Sequence, residues 1–438
     1  MTPSTWTSPR GLETDDGDRI TAVHVAWRIA VALLLVLAAG PLRSDGAARG
    51  AASEPRAATL VLLTDNKFGA RCLDGSPPGY YLRAAPWEGI TTWHIHFPGG
   101  GWCATKRECG WRARRLLGGT TMWPPTNNVT WAQNRFGGIL SSSGEANPSF
   151  AQWHLAMPVY CDGGGYAGTA GQVAVGGGRV VYMDGSRIVG AILEDLLTNR
   201  ALSTATTVLI SGTSAGGLPV MRLCDALAAL LPRASVKCLL DGAFFPDAPD
   251  RNGRMHFQRL AQQVSALHQF SPQSRCDLLT PASERWRCFF PQYALPLASS
   301  PFFIVNPAFD KVSLFIGNQL PNITNPVACL KRIVRSQTNV LASLQSRLFR
   351  PVPEGKAGWC TERECSAAQS TAAAVYSSIL SIVQSKKGFG AFVPVGLVAH
   401  STVTSPLWNS MKVAGTPMLL AVARWVASGN TGHPLLYT

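Results

Sequence analysis

The chain has 438 residues, 46% of them hydrophobic and 15% charged, with 42 glycines and 30 prolines. This is a turn-rich globular composition, which excludes a disordered or coiled-coil chain and suits one elaborated α/β domain or two ordinary ones. The net charge of +14 is spread along the chain. A basic surface favours anionic partners, but without zinc-finger spacing, an RNP-like aromatic motif or a dense Lys/Arg block nothing supports nucleic acid, and the spread charge by itself chooses no partner.

At the N-terminus, Arg28 precedes the apolar run Ile29–Ala39. The run is short against the roughly 20 residues of a bilayer span and fits a signal-peptide core. The long polar stretch before it keeps an uncleaved signal anchor as the alternative. Residues 1–58 are therefore expected to be a signal peptide or anchor with a flexible lead-in, and residues 59–438 a single catalytic domain of a secreted or membrane-anchored protein. The eleven cysteines agree with an oxidising compartment and are expected to pair mostly as disulfides, leaving an odd one over. The sequons at Asn128 and Asn322 become glycan sites in that setting, whereas Pro148 excludes the one at Asn147.

In chain order, Thr91–Phe97 reads as a strand running into Pro98-Gly-Gly-Gly-Trp-Cys103. Residues 118–178 carry many Gly, Pro, Asn and Ser with little periodicity, so long loops or a cap are expected. Ile188–Leu197 has helical spacing. Thr207–Ile210 is a β-branched, apolar strand, and Gly212-Thr-Ser-Ala-Gly216 follows it. Leu218–Leu231 then places Val220, Leu223, Cys224, Leu227 and Leu231 at helical spacing, with Pro219 in the first turn. Val236–Leu240 and Pro301–Val305 read as buried strands, and residues 247–300 as an irregular, loop-rich insertion. Thr361–Val383 and Met418–Val426 read as helices, and Phe392–Val398 leads to His400. Strands alternating with helices predict an α/β fold with a mainly parallel central sheet flanked by helices.

A strand, a Gly-flanked G-x-S-x-G turn and a helix describe a nucleophile elbow centred on Ser214. A serine hydroxyl needs a base, and on this architecture the order is Ser, then acid, then His. His256 and His268 lie in a polar, helical stretch and His433 near the C-terminus. His400, after an apolar strand and between small residues, is the expected base. For the acid, Asp310 ends Phe302–Asp310 and Asp241 ends Val236–Asp241; both close an apolar strand, and spacing leaves both open. Gly99–Gly101 can turn backbone amides toward a carbonyl oxygen, as in HGGG-type oxyanion loops. A phosphate cradle is disfavoured because no Lys-Ser/Thr and no immediate helix follow. His94 and His96 share one strand face; without a third ligand they are expected to be packing residues, so no metal and no cofactor is expected. Glu194 and Asp195 read as a solvated or capping pair.

Several blocks resemble, in one order, the pectinacetylesterase and Notum carboxylesterase family. They are Cys72-Leu-Asp-Gly-Ser-Pro-Pro-Gly-Tyr80, Gly99–Cys103, Phe136–Leu140, Asn147–Phe150, Tyr160–Gly163, Ser211–Gly217, Cys224-Asp225, Lys237-Cys238 and Cys288–Pro291. The resemblance runs from about residue 60 to 425. It implies an α/β-hydrolase-like fold with long loop-rich insertions. It also implies the triad Ser214, Asp310 and His400, with oxyanion donors in the backbone N–H groups of Ala215 and the Gly100–Gly101 region. Three departures stand out. Pro98 replaces the family's acidic residue before GGGW, and Thr213 replaces a cysteine common in SGCSAGG. The family's cysteines around the histidine are absent, with Val395, Gly396 and Ser401 near His400. The expected function is that of a secreted serine carboxylic-ester hydrolase removing O-acetyl groups from a polysaccharide. The alternatives are a Notum-like deacylase that removes a fatty acyl group from a protein, and a catalytically silent member binding glycan or protein.

Overall fold

The computed structural model describes residues 56–127, 135–250, 252–317, 362–428 and 435–438, all within the unit Ser53–Thr438. The apolar run at 29–39, both sequons, His433, Cys329 and Cys360, and the side chain of Cys365 lie outside the described residues. Among the described residues, no helix is long and apolar enough to cross a membrane.

Among the described residues, the central sheet has nine strands: β1 (Thr59–Leu62), β2 (Gly79–Arg83), β3 (Thr92–Phe97), β4 (His154–Pro158), β5 (Thr207–Thr213), β6 (Ser235–Asp241), β7 (Phe302–Val305), β8 (Gly390–Phe392) and β9 (Leu435–Tyr437). Their order is β1-β2-β4-β3-β5-β6-β7-β8-β9. β1, β2 and β4 pair antiparallel, and from β4 onward every pairing is parallel. The longer helices among the described residues are α1 (Lys106–Arg112), α2 (Gly185–Asn199), α3 (Gly217–Leu230), α4 (His256–His268), α5 (Glu362–Ser385) and α6 (Met418–Ala427). This is the α/β-hydrolase-like arrangement expected from the sequence. The central strands are apolar on both faces because helices cover both: Val208, Leu209 and Ile210 of β5 and Cys238, Leu239 and Leu240 of β6 are fully buried.

One buried charge in β6 has a structural use. The Lys237 ammonium donates to the carbonyls of Trp425, at 2.8 Å, and Ser428, satisfying backbone acceptors at the end of α6. Burial pushes its pKa down to about 8.

Two expectations are corrected. Residues 118–178 are not only loops, because β4 lies there, in the middle of the sheet between β2 and β3. Its sequence, His-Leu-Ala-Met-Pro, is too short and unbranched to announce a strand. Residues 247–300 are not irregular throughout: they contain the whole of α4, the polar helical stretch expected around His256 and His268, which buries Phe257, Ala261 and Val264. A smaller correction concerns Glu194 and Asp195. The Asp195 carboxylate is held by the Tyr80 hydroxyl, Asn199 and Arg200, and Glu194 pairs with Lys67.

Among the described residues, four disulfides join Cys72 to Cys161, Cys103 to Cys109, Cys224 to Cys238, and Cys276 to Cys288. The Cys224–Cys238 bond ties α3 to β6, directly behind the elbow.

Candidate active site

The elbow follows from a conflict between strand and helix that only small residues resolve. β5 runs straight to Thr213, and a single 3₁₀ turn, Ser214–Gly216, carries the chain into α3. Ser214 takes φ +54°, the left-handed conformation that L side chains avoid. The flanking glycines are needed for room. A Cβ on Gly212 would sit 2.0 Å from the Gly216 oxygen, and one on Gly216 would sit 2.0 Å from the Phe97 oxygen. The serine is thus lifted above the carboxyl edge of the sheet, where open parallel sheets place their ligands, at the N-terminal end of α3.

The neighbouring strand β3 ends in the glycine loop. A Cβ on Gly99 would stand 2.6 Å from the Ser214 Cβ, so this loop lies against the elbow. Gly101 adopts φ +65°. The N–H groups of Gly100 and Gly101 donate no hydrogen bond to another described residue, and first-turn N–H groups such as that of Ala215 have no intrahelical acceptor.

His400 and Asp310 are brought together by a short parallel pairing outside the main sheet. The two-residue strands Phe309–Asp310 and Val398–Ala399 run side by side, with Asp310 opposite Ala399. That register puts the next residue, His400, over the carboxylate. The Asp310 Oδ2 lies 2.6 Å from His400 Nδ1, and its Oδ1 accepts from the Ser313 N–H at 2.8 Å. Asp310 is 1% exposed. Burial alone would push the imidazole pKa down, but the Asp310 carboxylate, helped by Asp241, holds it above the ordinary 6.5. The remaining ring nitrogen, Nε2, is buried and has no hydrogen-bond partner among the described residues.

Asp241, the competing carboxylate, has a different set of partners. Its Oδ1 accepts from the Thr402 N–H and hydroxyl, both at 2.9 Å, and its Oδ2 from the Val403 N–H at 3.0 Å. It therefore anchors the backbone just after His400, in the region where the family's cysteines are missing. Sequence reasoning missed this role because only the three-dimensional return of residues 401–403 to the end of β6 creates it.

Ser214, His400 and Gly99–Gly101 line one open cleft of about 430 Å³ together with His96, Pro98, Trp123, Arg135, Met157, Thr213, Val312, Ser401 and Thr404. Among the described residues, Trp123, Met157 and Val312 bring large apolar side chains to it. Beneath the cleft, His94 Nε2 and His96 Nδ1 meet at the Ser211 hydroxyl, at 2.6 and 2.8 Å. Burial pushes the His96 pKa down to about 3, so it stays neutral. Cys103, Cys109 and His268 lie close enough to suggest metal ligation, but both sulfurs are bound in the Cys103–Cys109 disulfide.

The pectinacetylesterase family model matches residues 51–434. The chain belongs to this family. It is 34% identical over 261 residues to Pectin acetylesterase 7 of Arabidopsis thaliana, covering 59% of the chain and 62% of that relative. It is 36% identical over 245 residues to Pectin acetylesterase 5 of the same plant, covering 55% of each. With the Palmitoleoyl-protein carboxylesterase NOTUM of Homo sapiens it shares 29% identity over 263 residues, 56% of the chain and 50% of the relative. The chain thus spans between half and two thirds of the length of these relatives. Pectinacetylesterase and Notum relatives alike carry ester-hydrolysing names.

Proposed function

We propose that the chain is a serine carboxylic-ester hydrolase with Ser214 as nucleophile, His400 as base and Asp310 as the acid that orients it. The observation that carries this reading is the 2.6 Å Asp310–His400 contact, with the opposite imidazole nitrogen unpartnered in the cleft that also holds Ser214. Ser214 Oγ attacks the acyl carbon while its proton passes to His400 Nε2. The Gly100, Gly101 and Ala215 N–H groups receive the charge that develops on the carbonyl oxygen. Collapse of this intermediate expels the alcohol, which takes the proton from His400. Water, activated by the same imidazole, then releases the carboxylic acid.

For the substrate, we favour O-acetyl groups on a polysaccharide. An open cleft of about 430 Å³, to which the described residues bring three large apolar side chains, suits a short acyl group and a carbohydrate better than a fatty acyl chain. The basic chain and Arg135 in the cleft suit an acidic glycan. We also place the protein outside the cell, delivered by the N-terminal segment; the four disulfides support an oxidising destination. Residues 59–438 act as a single catalytic domain in this reading.

A fluorophosphonate probe tests the chemistry, with Ser214→Ala as control. Labelling of the wild type that vanishes in the variant is expected, and an unlabelled, correctly folded wild type leaves the silent binding protein as the better account. p-Nitrophenyl acetate should be cleaved faster than the palmitate ester. The reverse preference would move the assignment to the fatty-acyl deacylase that the Notum relatives bring in.

A further inference from the structure

The glycine loop can serve as an oxyanion hole only if its peptides are held in one orientation, and glycines do not hold themselves. The carbonyls of Gly100, Gly101 and Cys103 are each gripped by a side chain from elsewhere in the fold. Arg112, at the end of α1, donates through Nη1 to the Gly100 oxygen at 3.0 Å, and through Nε to the Leu117 oxygen at 3.2 Å. The Tyr160 hydroxyl donates to the Gly101 oxygen at 2.6 Å and accepts from the Gly165 N–H at 3.1 Å. His268, at the end of α4, sets Nε2 3.0 Å from the Cys103 oxygen. The Arg112 guanidinium also lies over the Tyr160 ring at 4.9 Å, so the first two grips brace one another.

Peptide planarity turns these grips into a statement about donors. In a trans peptide the N–H points opposite to the C=O. A Gly100 carbonyl drawn back to Arg112 therefore drives the Gly101 N–H the other way, toward the cleft that the loop lines. The Tyr160 hydroxyl fixes the next peptide and prevents it from flipping. Burial raises the Tyr160 phenol well above its ordinary range, so it remains a donor.

We propose that Arg112 and Tyr160 are positioning residues that pre-orient the oxyanion donors of the Gly99–Gly101 loop, a role that rests on the serine-hydrolase reading above. Neither touches the substrate. Their effect is on the alignment of the Gly101 N–H with an oxygen that becomes charged only in the transition state, so they act on kcat rather than KM.

The test measures kcat and KM for p-nitrophenyl acetate in Tyr160→Phe and Arg112→Lys, with thermal midpoints. Tyr166→Phe is the control. Tyr166 stacks on Tyr160 at 4.8 Å, is equally buried, and its hydroxyl reaches only the Pro158 oxygen, at 3.5 Å. A purely structural role would make both tyrosine variants alike. We expect kcat to fall roughly 10- to 100-fold in Tyr160→Phe and Arg112→Lys, less than outright loss of a donor. KM should stay within about twofold, and Tyr166→Phe should keep its kcat within about twofold. Folded anchor variants that keep wild-type kcat overturn the proposal, as does loss of folding in both, which would assign them to stability alone. If only Tyr160→Phe fails to fold, Arg112→Lys decides. Absence of Ser214-dependent fluorophosphonate labelling in the wild type is the separate failure of the serine-hydrolase reading.

Discussion

The Asp310→Asn variant keeps the shape of the side chain and exchanges one carboxylate oxygen for an amide nitrogen. The surroundings dictate which one. The Ser313 N–H donates to Oδ1 at 2.8 Å and needs an oxygen there, so the amide NH₂ takes the place of Oδ2, 2.6 Å from His400 Nδ1. An NH₂ in that place is a donor, and His400 must answer with the lone pair of Nδ1. The imidazole proton then moves to Nε2, the nitrogen that has to accept the Ser214 proton. The variant therefore holds the base in the wrong tautomer, a defect worth about 10⁴ in kcat where the same triad logic has been tested in serine proteases. At about 1.4 kcal/mol per tenfold, this is roughly 5 kcal/mol of transition-state stabilisation. A second signature appears in the pH profile. Wild-type activity should rise with pH through an apparent pKa above 6.5, because the imidazole must be neutral to work and the Asp310 carboxylate holds it protonated. Without that charge, burial dominates and the acid limb moves down. The assay is kcat/KM for p-nitrophenyl acetate from about pH 5 to about pH 9. A folded Asp310→Asn protein that retains its rate within about tenfold, or keeps the wild-type acid limb, refutes the assignment.

Asp241→Asn should behave differently: one of the three hydrogen bonds holding Thr402 and Val403 is lost. That change costs about 1–3 kcal/mol of stability, with a fall in kcat smaller than for Asp310→Asn, read by thermal unfolding and kinetics together. Burial raises the Asp241 pKa from 3.8 to about 6, even against the hydrogen bonds that lower it. The folded state therefore binds this proton more tightly than the unfolded chain, and the Asp241 contribution to stability should grow as pH falls from about 6 toward 3.8. Asp241→Asn should flatten that part of a plot of melting temperature against pH. His400 contributes in the opposite window: its raised pKa adds stability below 6.5 that is lost as pH rises through the folded value. Gly216→Ala, whose Cβ would meet the Phe97 oxygen at 2.0 Å, should fail to fold or aggregate on expression. Gly101→Ala has open space but φ +65° and should cost about 1–2 kcal/mol, with a loss in kcat larger than the loss in stability. Arg222→Ala strips the partner from Asp277, where both side chains are 3% exposed, and should destabilise by about 3–5 kcal/mol in denaturant titration.

The elbow was legible from sequence because it is local. A β-branched strand, two spacing-critical glycines and a helix lie within 25 consecutive residues, Thr207–Leu231, and each part has its own compositional mark. The proposed base, His400, stood out for a similar reason, as a histidine closing an apolar run. The proposed acid could not be chosen from spacing, because Asp241 and Asp310 both end buried strands and a periodicity argument sees only that. The family resemblance favoured Asp310, and the two carboxylates have different partners in the structure. β4 escaped because its short sequence carries neither alternation nor β-branched residues, and its place in the sheet comes from pairing with β2 and β3. The Arg112 and Tyr160 grips were invisible for another reason. Each is a side chain reaching a backbone oxygen, and no sequence pattern encodes which carbonyl a distant arginine will find.

The two carboxylates illustrate how one sheet edge separates roles that composition cannot. Asp241 meets two backbone N–H groups and a hydroxyl from a single tight turn, so its oxygens are filled from one side by a loop that must stay still. Among the described residues, Asp310 meets one N–H, and that donor occupies a single oxygen, leaving the other to the imidazole. A base that shuttles a proton needs a partner free to strengthen its bond as the ring becomes charged, which suits the less crowded carboxylate. The loop carrying the base needs the opposite, an acceptor already saturated by backbone. Without cysteines near His400, the Asp241 turn and the Phe309–Asp310 to Val398–Ala399 pairing are what hold the ring. Weakening either should leave the triad residues present but their alignment loose, and activity should then fall ahead of stability.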